Sequence, residues 1–157
     1  MSWVRPDNLH LTLKFLGEVP DANVPELCDE LARVPAAGPI VLQTAREPLF
    51  FPPRGRIHVI GVRIEEVREA RLSRLYEGIE QACTSAGFAR ERRAFQPHVT
   101  LARSKFGLPD DYRHRYHDLN GLQGIPTLMV EVSEFALVQS RLLPAGPEYT
   151  TVARFPL

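Results

Sequence analysis

The pattern His-x-Thr-Leu occurs twice in this chain, at residues 10–13 and 98–101, and constrains the fold more than any other feature. A random arrangement of the same residues would contain about 0.03 copies, so two copies are improbable by chance. Each copy lies in a stretch where polar and apolar residues alternate, which is typical of a strand with one buried face. Both strands then carry His and Thr on the non-core face, as a cleft between two lobes requires.

The remaining pattern predicts an α+β fold with the order β-α-β-β-α-β-(α)-β-β, because helices are interspersed with strands that can pair as hairpins. The predicted strands cover residues 9–16, 40–45, 57–64, 97–103, 127–139 and 149–155. The predicted helices cover residues 23–34, 66–86 and 110–116. Asn23 is expected to cap the first helix and Gly87 to end the second. Without a linker or a low-complexity segment, we expect a single domain over residues 1–157.

The formal net charge is zero, with 19 basic and 19 acidic residues. That balance argues against a protein that coats long nucleic acids by releasing counterions, but it allows a site for one or two phosphates. No apolar run approaches the roughly 20 residues that span a bilayer, and the N-terminus lacks a signal-peptide pattern, so we expect a cytoplasmic protein. Cys28 and Cys83 fall in predicted helices and are expected to be reduced, and no ligand-spaced cluster predicts a zinc site.

The repeated residues suit phosphodiester cleavage by proton transfer. Imidazole can hold or release a proton near neutral pH, and in-line cleavage needs a base for the entering water and an acid for the departing oxygen. His10 and His98 are therefore the predicted catalytic pair. The hydroxyls of Thr12 and Thr100 are expected to hold a non-bridging phosphate oxygen.

Two other interpretations of the repeat stand beside this one. A lone His-x-Thr on a strand is more often a structural pair, but repetition in matching contexts reverses that preference. Two histidines can also share a metal ion, yet no third His, Cys or carboxylate is placed beside either strand. The repeat therefore favours catalysis without a metal or another cofactor.

Three stretches of the sequence, Trp3–Gly17, Phe95–Arg103 and Gly146–Thr150, carry a family resemblance. They are similar to the RNA 2′,3′-cyclic phosphodiesterases, first described as 2′-5′ RNA ligases, within the two-histidine (2H) phosphoesterases. The resemblance implies a bilobal fold with two pseudo-symmetric antiparallel sheet lobes, helices on the outside and a central cleft. It also implies metal-independent hydrolysis of a cyclic phosphate at an RNA 3′ end, which leaves a 2′-phosphate. By resemblance His10 protonates the leaving 3′-oxygen and His98 activates water, whereas the residues alone leave these two roles open.

The sequence departs from this family at its beginning. Relatives usually carry a further strand and helix before the Trp3 segment, and this chain starts at that segment. Either the gene start was placed too late, or the protein has lost an element of one lobe. Such a loss would expose a sheet edge, and exposed edges invite pairing with another chain. Self-association is therefore one expectation for this protein.

Further residues are candidates for contact with the terminal base or phosphate. Arg103, Phe51 and Arg56 are expected to serve there, the last two in a rim with Phe50 and Arg54. Strict alternation, however, places Arg103 on the core side of its strand, and the aromatic residues of the rim could equally pack on the core.

A few more polar residues have weaker assignments. Lys14 shares the predicted face of His10 and is either a phosphate contact or a solvated strand end. His58 is expected to be structural and Tyr149 to border the cleft. His114 and His117 are expected to be surface residues.

Two alternatives to an RNA-end phosphodiesterase stay open. The same histidines could hydrolyse a small cyclic nucleotide or an ADP-ribose cyclic phosphate, although the aromatic and basic rim favours a substrate that carries a base. A nucleotide-binding module that has lost turnover is the alternative from another class. It would bind a 2′-phosphorylated nucleotide without hydrolysing the cyclic form.

Overall fold

The computed structural model describes residues 1–36, 38–68, 70–119, 125–144 and 146–157, without the side chains of 117–119. The chain forms two compact units. The first unit contains Met1–Thr12, Leu42–Glu65 and Phe95–Val130, and the second contains Leu13–Val41, Glu66–Ala94 and Glu131–Leu157. None of the described helices is long and apolar enough to cross a membrane.

The described elements confirm the α+β class. The strands are β1 (Ser2–Trp3), β2 (Ile40–Phe51), β3 (Ile57–Glu66), β4 (His98–Leu108), β5 (Met129–Val132), β6 (Glu134–Leu143) and β7 (Gly146–Pro156). The α-helices are α1 (Val24–Ala32), α2 (Arg71–Ser85) and α3 (Tyr112–Leu119), and short 3₁₀ turns lie at Pro6–Asn8 and Asp21–Asn23. Cys28 and Cys83 are free thiols in α1 and α2, as expected.

Most of a five-stranded sheet lies in the first unit, with the strand order β1-β4-β3-β2-β5. Strand β4 pairs antiparallel with both β1 and β3. One face of β3 is buried, and its residues are Ile60, Val62 and Ile64. Arg63 on the other face is exposed, so β3 has the alternation of a strand with one core face. Tyr112 of α3 packs against a small core that contains Ile57 and Ala102.

The second unit combines a helix pair with a hairpin. Helices α1 and α2 pack against each other, and α1 also contacts β7. Strands β6 and β7 pair antiparallel along their length. The rings of Phe135 and Phe155 stack across this hairpin with centroids 4.9 Å apart.

Helix α2 begins later than its sequence pattern predicts. The backbone N–H groups of Arg71 and Leu72 donate to the two carboxylate oxygens of Glu66, at 2.9 and 3.0 Å. Glu66 therefore caps the helix from outside instead of forming its first turn, because the first N–H groups of a helix have no partner within it. Gly87 follows the last turn at φ +86°, which confirms the predicted stop.

The predicted strand over residues 9–16 is wrong. Within it only Leu11 makes a strand-like bridge, to Val99. The alternation also fails, because the Lys14 side chain is 6% exposed and Phe15 is 84% exposed. The ammonium of Lys14 turns inward to donate to Glu80 Oε1 at 2.7 Å and to the Ala89 carbonyl at 3.0 Å.

Other strand bounds also differ from the prediction. Strands β2 and β4 continue to Phe51 and Leu108, and β7 already begins at Gly146. The predicted strand over 127–139 is divided at Ser133 into β5, which joins the five-stranded sheet, and β6, which joins the hairpin. An apolar pattern does not reveal which sheet each half joins. Residues 120–124, the end of the predicted turn-rich segment, lie outside the described residues.

Candidate functional site

The two His-x-Thr triplets lie side by side in the first unit, whereas we expected one triplet from each lobe. Their central residues, Leu11 and Val99, form an antiparallel bridge. Directly opposite residues of such a pair share one face, and their chain neighbours point to the other. The antiparallel direction therefore places His10 beside the Thr100 end of the second triplet, and Thr12 beside its His98 end.

Both imidazole rings are oriented in the same way by their own backbone. His10 Nδ1 lies 2.7 Å from the Asn8 carbonyl oxygen, and His98 Nδ1 lies 2.7 Å from the Gln96 carbonyl oxygen. A carbonyl oxygen only accepts, so each Nδ1 must carry the hydrogen. In the neutral ring the lone pair then belongs to Nε2, which is the atom able to take a proton from a reactant.

Gly61 allows β3 to approach the second triplet closely, and sequence reasoning missed it. It lies opposite Thr100 in the register. A Cβ at this position would stand 2.8 Å from the Val99 carbonyl oxygen and 3.6 Å from His98 Cδ2. The signal in the sequence is an isolated glycine inside a strand pattern, which often marks a close backbone approach.

A β-bulge at Leu101 brings Arg103 to the face of the triplet. Consecutive β3 residues Ile60 and Gly61 pair with Ala102 and Thr100, so Leu101 is the extra residue. Three residues of β4 lie opposite alternate residues of β3, and the pairs are His98–Arg63, Thr100–Gly61 and Arg103–Val59. Arg103 is exposed and Ala102 is buried, in agreement with this register. The core-side placement from strict alternation is therefore wrong.

Of the predicted aromatic rim, the structure brings Phe51 to His98. Its ring centroid lies 5.0 Å from that of His98, at an interplanar angle of 44°. Phe50 instead packs edge-on against Tyr112 and Tyr116 of α3, which is the core-packing alternative. The loop after Phe51 is held by Arg113, whose guanidinium donates to the carbonyls of Pro52 and Gly55.

The contacts of Arg56 favour a structural role over the predicted contact with base or phosphate. Its Nε donates to the Phe106 carbonyl at 2.9 Å and its Nη2 to the Gly107 carbonyl at 2.7 Å. The guanidinium thus holds the end of β4. Arg54 is an exposed residue of the loop between β2 and β3.

Lys14 is neither a phosphate contact nor a solvated strand end. It belongs to the second unit, where it pairs with Glu80, whose side chain is 1% exposed. The second carboxylate oxygen of Glu80 accepts from the Glu91 backbone N–H at 3.0 Å. Nearby, burial raises the pKa of the Cys83 thiol, and the Lys14 ammonium offsets only part of that effect.

The remaining singled-out residues belong to β3, α3 and β7. Tyr149 pairs with Ser140 in the hairpin of the second unit. His58 Nδ1 lies 3.2 Å from the Ser104 carbonyl oxygen, as a structural residue would. His114 is exposed as predicted, and the side chain of His117 lies outside the described residues. In the described part of the chain, no three His, Cys, Asp or Glu residues are grouped so that they could share a metal ion.

Comparisons with known proteins identify the family of this chain. The protein-family model "LigT like Phosphoesterase" matches residues 1–60 and 62–149. The chain is 34% identical to an RNA 2′,3′-cyclic phosphodiesterase of Geobacillus stearothermophilus over 158 residues, which cover 99% of this chain and 48% of that protein. It is 32% identical to an RNA 2′,3′-cyclic phosphodiesterase of Thermotoga maritima, over 94% of this chain and 75% of the relative. The chain thus spans about half the length of the first relative and three quarters of the second.

The fold has a counterpart among solved structures. The crystal structure of the Thermus thermophilus protein TT0787 is similar with a TM-score of 0.76 and 30% sequence identity. The similarity covers 99% of this chain and 81% of that one.

Proposed function

Since the chain belongs to the LigT-like phosphoesterases, a family of two-histidine phosphoesterases, we propose that it hydrolyses 2′,3′-cyclic phosphate ends of RNA to 2′-phosphates. The observation that carries the proposal is the bridge between Leu11 and Val99. It sets two His-x-Thr triplets antiparallel in one unit, so that each supplies one imidazole and one hydroxyl. Two imidazoles can then serve a reaction that needs one proton donor and one proton acceptor.

In the proposed reaction the two histidines have opposite tasks. His98 Nε2 takes a proton from water while the water oxygen bonds to phosphorus. The bond between phosphorus and O3′ breaks, and His10 Nε2 gives its proton to O3′. The bond to O2′ is kept, so the product is a 2′-phosphate. His98 ends protonated and His10 neutral, and exchange with solvent restores the starting states.

Two hydroxyls and a guanidinium can stabilise the negative charge that develops on the phosphate oxygens. In the proposed reaction the Thr12 and Thr100 hydroxyls donate to the non-bridging oxygens. Arg103, on the same face of β4 as His98, adds a positive charge for the phosphate or a plane for the base. The Phe51 ring beside His98 offers an apolar surface for the terminal base.

The proposal assigns every proton transfer to side chains of this chain, so it requires neither metal nor cofactor. The test is to incubate the protein, in EDTA, with a short RNA that ends in a 2′,3′-cyclic phosphate and to identify the product end. His10→Ala and His98→Ala are compared with His114→Ala, which removes an exposed histidine of α3. We expect conversion to a 2′-phosphate by the wild type and by His114→Ala only.

His10→Ala and His98→Ala should each lose about 10²–10⁴-fold in rate, the usual contribution of general acid–base catalysis. A folded wild-type protein that binds the RNA end but leaves the cyclic phosphate intact would support a binding module instead. Formation of a 3′-phosphate would contradict the assignment of O3′ as the leaving oxygen.

A further inference from the structure

Near the end of β4, the ring of Phe106 is exposed to solvent while hydrogen bonds hold its backbone. Phe106 is 79% exposed. The carbonyls of Phe106 and Gly107 are both held by the guanidinium of Arg56. Gly107 adopts φ +69°, and a Cβ there would lie 2.9 Å from Arg56 Cβ and 3.0 Å from the His58 ring. The backbone is therefore fixed at the point where the ring projects outward.

Positive charge accompanies this ring. The ammonium of Lys105 lies 5.9 Å from the centroid of the Phe106 ring, within cation–π range. Arg103, two residues earlier, is exposed, and the stretch from Arg103 to Phe106 contains no acidic residue. A single exposed aromatic residue is common on protein surfaces, but a ring on a fixed backbone with adjacent cations has the chemistry of a stacking site for single-stranded nucleic acid.

Phe106 and the second His-x-Thr triplet belong to the same strand, β4. His98 opens β4, Arg103 lies on the triplet's face of the strand, and Phe106 lies close to the far end. The register sets His98 opposite Arg63, Arg103 opposite Val59 and Leu108 opposite Ile57, so Phe106 lies four to six β3 residues from the level of His98, roughly 13–20 Å at about 3.3 Å per residue. That separation is too long for the terminal nucleotide and suits nucleotides that precede it in the RNA.

We propose that Lys105 and Phe106 bind the single-stranded RNA that precedes the cyclic phosphate. A base stacks on the Phe106 ring, and the Lys105 ammonium binds a backbone phosphate. The inference rests on the proposed function, because it extends the substrate from a cyclic nucleotide to an RNA strand. It predicts that the enzyme prefers a cyclic-phosphate oligonucleotide to the corresponding mononucleotide.

The test compares kcat/KM for a hexanucleotide and for a mononucleotide, each ending in the same 2′,3′-cyclic phosphate. Phe106→Ala should lower kcat/KM for the hexanucleotide by roughly 5- to 150-fold, the range of one base–aromatic stack. The mononucleotide rate should not change. Phe106→Tyr keeps the ring and should keep the preference, and Leu142→Ala, which truncates an apolar side chain 88% exposed on β6, should change neither rate.

Two further measurements isolate the contacts. Hexanucleotides with a single abasic position identify the stacked base, since one of them should be insensitive to Phe106→Ala. Lys105→Gln should reduce the dependence of log(kcat/KM) on log salt concentration by about 0.7 for the hexanucleotide only.

The outcomes separate the two proposals. If the wild type hydrolyses neither substrate, the proposed function fails. If both are hydrolysed but Phe106→Ala changes neither rate, or changes both equally, the RNA-binding surface is overturned while the phosphodiesterase stands.

Discussion

At the scale of single residues, the site depends on how two imidazole rings are held. Each Nδ1 contacts the carbonyl two residues earlier, and the two distances are equal. The structure therefore gives both rings the same reactive atom, Nε2, so the bond at Nδ1 is compatible with either histidine as the acid.

A substrate with a sulfur in place of O3′ separates the two roles. A thiolate leaves without being protonated, so the general acid becomes unnecessary for this substrate. We expect His10→Ala to hydrolyse the 3′-thio cyclic ester at nearly the wild-type rate, while His98→Ala stays slow. The release of thiol measures both rates. Recovery in His98→Ala instead would reverse the two assignments.

Gly61 is the second residue-scale feature, and its substitution should disturb the second triplet. In Gly61→Ala the new Cβ meets the Val99 carbonyl oxygen at 2.8 Å, so β4 must shift. We expect a loss of about 1–3 kcal/mol in free energy of unfolding, measured in urea, together with a lower kcat. Gly78→Ala in α2 is the control, because its contact at 3.0 Å is the side chain of Val34, which can move. An active Gly61→Ala of wild-type stability would contradict this account.

At the scale of elements, the bulge in β4 decides which side chains join the site. Alternation alone predicted His98 and Thr100 on one face correctly, but it placed Arg103 on the other. One extra residue, Leu101, reverses the face to which each later side chain of β4 points. Nothing in the residues around Leu101 signals the bulge, since it depends on pairing with β3.

The bulge leads to a prediction for Arg103. Arg103→Met should lower kcat/KM for the cyclic phosphate about 10- to 100-fold, because a charge-assisted hydrogen bond contributes roughly 1.5–3 kcal/mol. Arg141→Met, which removes an exposed arginine of β6 in the second unit, is the matched control. Equal rates for the two variants would show that Arg103 does not contact the substrate.

The helices and the triplet residues could be predicted from local pattern, whereas several partners could not. Helix α2 was predicted from its apolar stripe and its glycine stop, but its true start depends on the Glu66 carboxylate folding back on it. Lys14 was misplaced because its partner Glu80 is 66 residues away. Long-range contacts of this kind leave no periodic signal in the sequence.

At the scale of the whole molecule, the Lys14–Glu80 pair is expected to control the stability of the second unit. Both side chains are buried, so removing one partner leaves an uncompensated charge. Lys14→Met should lower the free energy of unfolding by about 3–5 kcal/mol, and Lys14→Met/Glu80→Met should recover much of it.

Urea denaturation measures these values. The control is Arg33→Met, which breaks a pair with Glu30 in which the arginine side chain is 70% exposed; it should cost at most about 1 kcal/mol. A Lys14→Met protein as stable as Arg33→Met would show that the buried pair does not control stability.

The central claim is that the two triplets act as one catalytic unit, and a double-variant measurement tests it most directly. Single-turnover rates on a cyclic-phosphate RNA are compared for wild type, His10→Ala, His98→Ala and the double variant. Groups that act together in one step are strongly non-additive, so we expect the double variant to lose far less than the product of the two single losses. If either single variant keeps the wild-type rate, the paired-histidine account is contradicted.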